Sequence, residues 1–468
     1  MVSYGTGLSL YKKSPWFIKK CINSLLLPIP RSVLLGKGFH EKLDLLLKTE
    51  TWSSTDLVHF QEKQLRHLIY HAYTYCPYYR DVFTAAKIHP ADIKEIGDLR
   101  RLPILTKDTI RHNFTDLVSL NYNEFKPSLA HTSGSTGEPL EFYLDQQNRE
   151  AEYASVWRQA FWGGVKDINV KTATFRGDFV YDFERTDNLW RWDGISKELM
   201  FNTYNLNRIA VHNIVQKLNN FKPLLIKGYP HSLYILSRFV SEEGFSLNFR
   251  PFLIQTSSEQ LTLQMRETIE TTFDCKVMDW YSQSEYVLSF GQCECGTYHQ
   301  TMETGVMDYI EDEWGLERLV GTGLWNYSMP LINYNIGDVI DANTDKKCTC
   351  GRNLISIQSF EGRLNDSIYA PDGRVISGVG LDHYWKHRVI PSLTVIPEYV
   401  HFTQESRRNL LIKVYSSKGL SDNDLSAISL GANLLLGEEM DVKIVLLDQL
   451  PSIKKWRFVD SKVKLDDI

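Results

Sequence analysis

The sequence lacks an apolar run long enough to cross a membrane, which takes about 20 residues. Its best apolar run, residues 21–29, is short and contains Pro28. Lysines precede this run, a pattern that faintly resembles a signal peptide, yet no small-residue cleavage site follows before Arg31. We therefore expect no stable membrane insertion and a cytoplasmic protein.

An excess of positive charge is also missing. The 52 basic and 57 acidic side chains leave a net charge of −5 over 468 residues. Proteins that hold nucleic acid across their surface usually carry a clear basic excess, so that class is disfavoured. The 43% apolar and 23% charged shares are typical of a folded globular chain. A chain of this length exceeds the limit of about 250–300 residues for one core, which predicts at least two domains.

Cysteine is scarce and odd in number, with seven residues, so a disulfide scaffold is not expected. Four of the cysteines form two Cys-x-Cys-Gly units, Cys293 with Cys295 and Cys348 with Cys350, and His299 lies nearby. Four thiolates suit tetrahedral Zn²⁺, and a glycine after each pair lets the backbone turn its amides toward sulfur. The spacing predicts a structural zinc site in which His299 is an alternative ligand. Two chance thiol pairs in a reducing cytoplasm are the competing interpretation.

Internal repeats are absent, and helical and strand-like patterns alternate instead. Apolar residues at helical spacing predict a helix that begins near Phe60 and breaks at Pro77, and a further helix is expected over 91–99. Short apolar segments alternate with helical patterns between residues 224 and 278, which predicts parallel sheets covered by helices.

A polar stretch at residues 361–366 marks the clearest boundary, and strand patterns at 410–415 and 442–446 follow it. We therefore expect an α/β protein with a large domain over residues 1–363, whose first 55 residues are an N-terminal extension. A small α+β domain is expected over residues 364–468.

The sequence has no P-loop ending in Gly-Lys-Ser/Thr, but it contains the run Thr132-Ser-Gly-Ser-Thr-Gly-Glu-Pro139. Such a loop has little side-chain bulk, so its backbone amides can approach phosphates while its hydroxyls donate to their oxygens. A flexible hairpin turn is the alternative for an arbitrary Ser/Gly run. The order TSGSTGEP resembles the phosphate loop of the adenylate-forming enzymes, the superfamily of acyl-CoA synthetases and adenylation domains.

Other motifs of that superfamily follow in the family's order. Residues 281–285 (YSQSE) resemble the Tyr-Gly-x-Thr/Ser-Glu motif, and residues 335–338 (NIGD) resemble the motif whose Asp binds the ribose. Residues 362–366 (GRLND) resemble the hinge between the two domains, and Lys455 resembles the mobile catalytic lysine of the small domain. Three places depart from the pattern: Ser282 replaces the usual glycine, Ser257 and Ser258 replace small Gly/Ala choices, and Lys454 stands where a glycine often precedes the lysine.

Within the superfamily, the chain resembles the phenylacetate–coenzyme A ligase-like branch that includes the capsular-polysaccharide biosynthesis adenylating proteins. The resemblance begins near Leu57 and is carried by residues 71–83, 102–107, 228–232 and 257–259. It implies a large adenylate-forming domain and a small, mobile C-terminal domain that rotates about Asp366.

The resemblance also implies roles for individual residues. Thr136, Glu285 and Lys455 would be catalytic, with Glu285 holding Mg²⁺ and Lys455 bridging the attacking carboxylate and the α-phosphate. Asp338 and Arg363 would bind the ribose. The nucleotide-binding residues implied are Thr132, Ser133, Gly134, Ser135, Thr136, Gly137, Ser258, Glu259, Tyr281, Ser282, Gln283, Ser284, Glu285, Asp338 and Arg363.

The implied function is ATP-dependent activation of a small carboxylic acid as an acyl-adenylate, followed by transfer to a nucleophile. Coenzyme A is the family's commonest acceptor, and an amine or a sugar hydroxyl is the alternative in the polysaccharide branch. The competing hypothesis, motivated by Ser282 and Lys454, is a catalytically inactive nucleotide-binding or scaffold subunit of a polysaccharide assembly complex.

Overall fold

The computed structural model describes residues 16–132, 140–176, 188–311, 317–341, 348–361, 367–378, 381, 384–449 and 458–463. Several predicted site residues lie outside these ranges, and their roles stay predictions. They are Ser133, Gly134, Ser135, Thr136, Gly137, Arg363, Lys454 and Lys455.

The helices follow the amphipathic patterns of the sequence. Ser53 caps the long helix that follows it, because its hydroxyl accepts a hydrogen bond from the Asp56 amide at 3.1 Å. Pro77 occupies the first turn of the next helix, which explains the break after Tyr75. None of the helices described is both long and apolar enough to span a bilayer. The α-helices are α1 Trp16–Leu26, α2 Arg31–Thr49, α3 Ser54–Tyr75, α4 Pro77–Ala86, α5 Lys107–His112, α6 Phe114–Leu117, α7 Gln146–Trp162, α8 Arg208–Phe221, α9 Pro230–Glu242, α10 Leu263–Phe273 and α11 Asp422–Leu436.

The helix expected over residues 91–99 does not form, and two 3₁₀ turns, Pro90–Asp92 and Ile96–Arg101, stand in its place. The carboxylate of Asp92 accepts the His89 amide at 2.8 Å, and that of Asp98 accepts the Lys94 amide at 2.9 Å. These local bonds compete with a helical ladder, which is why the prediction was wrong here.

The strands are short. They are β1 Ser128–His131, β2 Glu141–Leu144, β3 Thr172–Phe175, β4 Trp190–Asp193, β5 Glu198–Phe201, β6 Leu225–Gly228, β7 Leu253–Ser257, β8 Val277–Ser282, β9 Ser289–Gln292, β10 Tyr298–Gln300, β11 Gly305–Glu311, β12 Glu317–Gly323, β13 Tyr334–Asp341, β14 Ser356–Ile357, β15 Ser359–Glu361, β16 Ser367–Tyr369, β17 Val375–Ser377, β18 Tyr399–Ser406, β19 Asn409–Tyr415, β20 Asp441–Leu446 and β21 Val459–Ser461.

One compact unit contains the described residues of Met1–Thr132, Leu140–Asn169 and Met278–Gly362. Its strand pairs are antiparallel: β8, β9, β10 and β14 are neighbours in that order, β11, β12, β13 and β15 form a second sheet, and β1 pairs with β2. Helix α3 contributes Leu65 and Leu68 to a core that also contains Phe290 and Tyr334. This core therefore supports both β9 and β13.

A second compact unit contains the described residues of Val170–Val277 and Arg363–Ile468. Strands β5, β3, β6 and β7 are parallel neighbours, and β4 closes the β5 edge in the antiparallel sense. The predicted parallel sheet is thus found here, whereas the first unit pairs its strands antiparallel. The late strands form a separate mixed sheet in the order β20, β19, β18, β21, which shares its core with α11. The mixed α/β class predicted from the sequence is confirmed.

An ion pair lies inside the first unit. Arg158 on α7 donates from Nη1 to Oε1 of Glu303 at 2.9 Å, and each side chain is only 1% exposed. The Thr49 hydroxyl donates to the same carboxylate oxygen. Removing one member of such a pair leaves an uncompensated charge away from water, which costs more than the pair itself contributes.

We expect Glu303→Gln to lower the free energy of unfolding by about 3–5 kcal/mol, because the Arg158 guanidinium would stay buried without its counter-charge. Glu41→Gln is the matched control, since Glu41 pairs with Lys37 on the surface with side chains 62% and 89% exposed. Its effect should stay below about 1 kcal/mol. Urea denaturation of both variants measures the difference, and equal midpoints would contradict the prediction.

Candidate nucleotide site and metal centre

A hydrogen-bonded hairpin fixes both ends of the predicted phosphate loop. The Thr132 amide donates to the Leu140 carbonyl at 2.9 Å, and the Leu140 amide donates to the Thr132 hydroxyl at 3.0 Å. Strands β1 and β2 pair in register on one side of this point. Of the predicted loop residues, Thr132 is thus the one that the structure places.

Tyr281, at the end of β8, is held at its hydroxyl and on one ring face. Its hydroxyl donates to Oδ2 of Asp338 at 2.7 Å, and its ring stacks on Phe360 with centroids 3.6 Å apart and planes 8° apart. Burial and the nearby Asp338 charge raise the pKa of Tyr281 well above its ordinary value, so the hydroxyl stays a donor. A fixed aromatic ring beside a carboxylate suits a base that stacks and a ribose that donates hydroxyls.

The backbone of β13 turns sharply just before Asp338. The register of β13 against β12 shifts in this part of the pairing, which marks an irregularity of the bulge type. Gly337 has φ of +87°, a left-handed conformation that glycine adopts without strain, and its carbonyl accepts Nη1 of Arg318 at 3.1 Å. Irregular strands of this kind re-aim a side chain, here that of Asp338.

Glu285 is buried and bonded to the same strand β13. The Tyr334 hydroxyl donates to Oε1 of Glu285 at 2.6 Å, and burial together with the Glu285 charge raises the pKa of Tyr334. The turn that presents Glu285 is closed by the Gln283 side chain, whose Oε1 accepts the Leu288 amide at 3.1 Å, whereas Ser284 is exposed. The predicted residues Tyr281, Gln283, Glu285 and Asp338 therefore belong to one bonded cluster.

Glu152 on α7 is a member of this neighbourhood that the sequence analysis missed. Its Oε1 accepts the Trp280 indole N–H at 3.0 Å, and the hydroxyls of Ser282 and Ser289 lie beside the carboxylate. Burial raises the pKa of Glu152 to about 7. No sequence motif surrounds Glu152, so only the packing of α7 against β8 and β9 brings it to the Tyr281 segment.

In the second unit, Ser258 and Glu259 form a tight turn after β7. Ser258 has φ of +72°, and Oε2 of Glu259 accepts the His231 amide at 3.0 Å. The preceding Ser257 accepts a hydrogen bond from Arg176 at 2.5 Å. The turn therefore joins the carboxyl ends of β3, β6 and β7.

Cys293, His299, Cys348 and Cys350 come together in the first unit, with their ligand atoms all within 4.8 Å of one another. The Sγ atoms of Cys293 and Cys348 are 3.6 Å apart, and Sγ of Cys350 is 3.3 Å from Nε2 of His299. Two thiolates at tetrahedral Zn²⁺ are about 3.8 Å apart, so these distances match the edges of a zinc site. Burial lowers the pKa of His299 to about 4, which keeps the imidazole neutral as coordination requires.

Cys295 is not part of this cluster, so of the two ligand sets that the sequence left open the geometry favours the one with His299. It is exposed, and its amide donates to Sγ of Cys293 at 3.4 Å. The tight turn continues through Gly296, whose φ is +87°, and leaves the Cys295 thiol on the solvent side. His299 from β10 takes the fourth position instead.

No protein-family model matches the chain. Among curated proteins, it is 24% identical to Protein CapK of Staphylococcus aureus over 380 residues, which covers 79% of this chain and 81% of that protein. It is 32% identical to the phenylacetate-coenzyme A ligase of Aromatoleum evansii over 350 residues, which covers 71% of this chain and 74% of that protein.

The fold is also that of a solved ligase. The chain is similar to 2-hydroxyisobutyryl-CoA ligase in complex with 2-HIB-AMP and CoA, with a TM-score of 0.58, 19% identity, and 88% of this chain and 91% of that chain covered. An open conformation of that enzyme gives a TM-score of 0.54 at 17% identity, with 88% of this chain and 93% of that chain covered. Sequence identity over most of its length, together with this shared fold, shows that the chain belongs to the phenylacetate-coenzyme A ligase family of adenylate-forming acid–thiol ligases.

Proposed function

We propose that this protein uses ATP to activate a carboxylic acid and transfers the acyl group to coenzyme A. A carboxylate oxygen would attack the α-phosphorus of ATP, giving acyl-adenylate and pyrophosphate. The coenzyme A thiol would then attack the acyl carbon, giving a thioester and AMP. The observation that carries the proposal is the bonded cluster of Tyr281, Glu285, Tyr334 and Asp338, which supplies an aromatic ring and two carboxylates in one place.

Three residues of the cluster each suit one part of Mg·ATP. The Tyr281 ring would stack on adenine. The Asp338 carboxylate would accept hydrogen bonds from both ribose hydroxyls, and Arg363 would donate to a ribose oxygen. Carboxylate oxygens are ligands that Mg²⁺ prefers, and Glu285 offers a buried one. The loop Thr132–Gly137 would hold the phosphates through its amides and hydroxyls. Lys455 would neutralise charge between the attacking carboxylate and the α-phosphate.

We also propose a role in polysaccharide biosynthesis, in which an amine or a sugar hydroxyl is an alternative acceptor. The sequence resemblance and the similarity to CapK over 79% of the chain support this setting. A cytoplasmic location fits both the substrates and the cysteines of the proposed zinc site, none of which forms a disulfide. The small C-terminal domain over residues 364–468 would move between the two half-reactions.

The test of the proposed reaction is pyrophosphate release with pooled aryl, acyl and amino acids. We expect Lys455→Ala to slow this release at least 10²–10³-fold, the usual cost of losing such a transition-state contact. The variant should still convert a supplied acyl-adenylate to thioester at a near wild-type rate, because the α-phosphate is then already bonded.

Lys454→Ala is the matched control, because adjacent residues of an extended segment face opposite sides, and it should retain both half-reactions. If Lys454→Ala were the inactive variant, the catalytic lysine would be Lys454 and not Lys455. If the wild type bound ATP but released no pyrophosphate with any of the acids, the result would favour the inactive scaffold hypothesis instead.

We propose that the Cys293, His299, Cys348 and Cys350 cluster holds one structural zinc ion. Three soft sulfur donors and one imidazole are a common zinc set, and four protein ligands leave no position for substrate. Burial raises the pKa of the Cys293 thiol to about 12, and a divalent cation would favour its thiolate. Zinc binding would therefore release protons.

Purified protein should carry about one zinc per chain, and Cys348→Ser/Cys350→Ser should lose it. Cys295→Ser is the matched control, because Cys295 lies outside the cluster and should leave the zinc content unchanged. Metal analysis of the three proteins measures the difference. Near-zero zinc in all three, or zinc loss in Cys295→Ser alone, would contradict the assignment.

Asp338→Ala should weaken ATP binding about 30-fold to 1,000-fold, since two ribose hydroxyls would lose their shared acceptor at a cost of roughly 2–4 kcal/mol. Tyr281→Phe keeps the ring and the Asp338 carboxylate, so its effect should stay within about tenfold. Calorimetric titration with ATP measures both. Unchanged affinity in Asp338→Ala would show that the ribose binds elsewhere.

A further inference from the structure

Arg176 lies at the carboxyl edge of the parallel sheet in the second unit. Strands β3, β6 and β7 are parallel neighbours, so their carboxyl ends meet at the same edge. Arg176 directly follows β3, Tyr229 directly follows β6, and Ser257 ends β7. Ligands of open α/β sheets bind at this edge. Arg176 therefore stands where a ligand is expected.

The contacts of Arg176 are with neutral groups. Its Nη2 donates to the Ser257 hydroxyl at 2.5 Å, and its guanidinium carbon is 5.6 Å from the centre of the Tyr229 ring. Its Nε is buried and forms no hydrogen bond with the part of the chain that the structure describes. The hydroxyl and the ring fix the side chain, but neither neutralises its charge.

Several other described cations of this unit have carboxylate partners. Lys227 on β6 pairs with Glu198 at 3.1 Å, and Arg250 pairs with Asp274 at 3.2 Å. Arg176, in contrast, makes no ion pair with the carboxylates of the described residues. A guanidinium stays charged at any physiological pH, and its planar fork binds carboxylate or phosphate through two N–H donors. A ligand with an anionic group would therefore supply the counter-charge of Arg176.

We propose, resting on the carboxylate activation proposed above, that Arg176 selects an acid that carries a second anionic group. The reacting carboxylate loses its charge when it becomes a mixed anhydride, so a permanent cation is not needed for that group after activation. A second carboxylate keeps its charge throughout and can bind the guanidinium in every step. The substrate class is thus a dicarboxylic acid rather than a neutral aryl or alkyl acid.

Matched pairs of acids test this inference: phenylacetate against 4-carboxyphenylacetate, and butyrate against succinate. Pyrophosphate release gives kcat and KM for each acid, with KM for ATP and for coenzyme A measured separately. The wild type should prefer the dianionic member of a pair at least about tenfold in kcat/KM. One charge-assisted hydrogen bond contributes enough binding free energy for a difference of this size.

Arg176→Gln should raise KM for the dianionic acid about 10-fold to 100-fold and leave the neutral acid, ATP and coenzyme A unchanged. Arg176→Lys keeps the charge but not the fork, so it should restore part of the preference. Arg250→Gln is the matched control, because Arg250 is exposed and precedes β7 rather than following it, and it should behave as wild type.

A wild-type preference for neutral acids, or a preference that survives Arg176→Gln, overturns the inference. A rise in KM for ATP or coenzyme A instead also overturns it, since the guanidinium would then bind phosphate of those molecules. Calorimetry with 4-carboxyphenylacetate and succinate separates the two proposals. Binding that requires Arg176 without pyrophosphate release supports this inference and rejects the proposed reaction, whereas release with no charge preference does the reverse.

Discussion

Two phenol–carboxylate hydrogen bonds tie the segment 281–285 to strand β13, and the described part of the proposed nucleotide site depends on them. Each segment supplies one phenol and one carboxylate: Tyr281 donates to Asp338, and Tyr334 donates to Glu285. Buried phenols and carboxylates are costly without partners, so each bond favours the presence of the other. These hydrogen bonds hold residues far apart in sequence together. The Phe360 ring stacks on one face of the Tyr281 ring.

The thiol and imidazole cluster lies at the other end of the sheet that contains Tyr281. Strand β9 pairs with β8 opposite Tyr281, and its continuation reaches Cys293, while β10 carries His299. A metal ion there would join this ribbon to the segment of Cys348 and Cys350. The proposed zinc ion would have all four positions filled by protein, so it would fix these strands and would not take part in the proposed reaction.

Polar groups surround Ser282, one of the positions at which this chain departs from the family pattern. The Ser282 hydroxyl, in place of the usual glycine, lies beside the Glu152 carboxylate, which Trp280 also contacts. The Ser282 hydroxyl also lies 3.4 Å from the Gln283 carbonyl and 3.5 Å from the Leu288 carbonyl, so it has hydrogen-bonding partners. Arg176 adds a charged group at the edge of the parallel sheet.

The sequence alone determined the features that are encoded locally. The helix break at Pro77, the mixed α/β class and the order of the family motifs follow from neighbouring residues. The structure confirms the class, and the identity to a curated ligase confirms the family. Only the tertiary structure decided which side chains meet. It replaced Cys295 by His299 in the metal cluster, brought Glu152 from α7 to the Tyr281 segment, and placed Arg176 beside Ser257. It also paired the first unit's strands antiparallel, because strand direction and side-chain partners depend on register between distant segments, which periodicity along the chain does not contain.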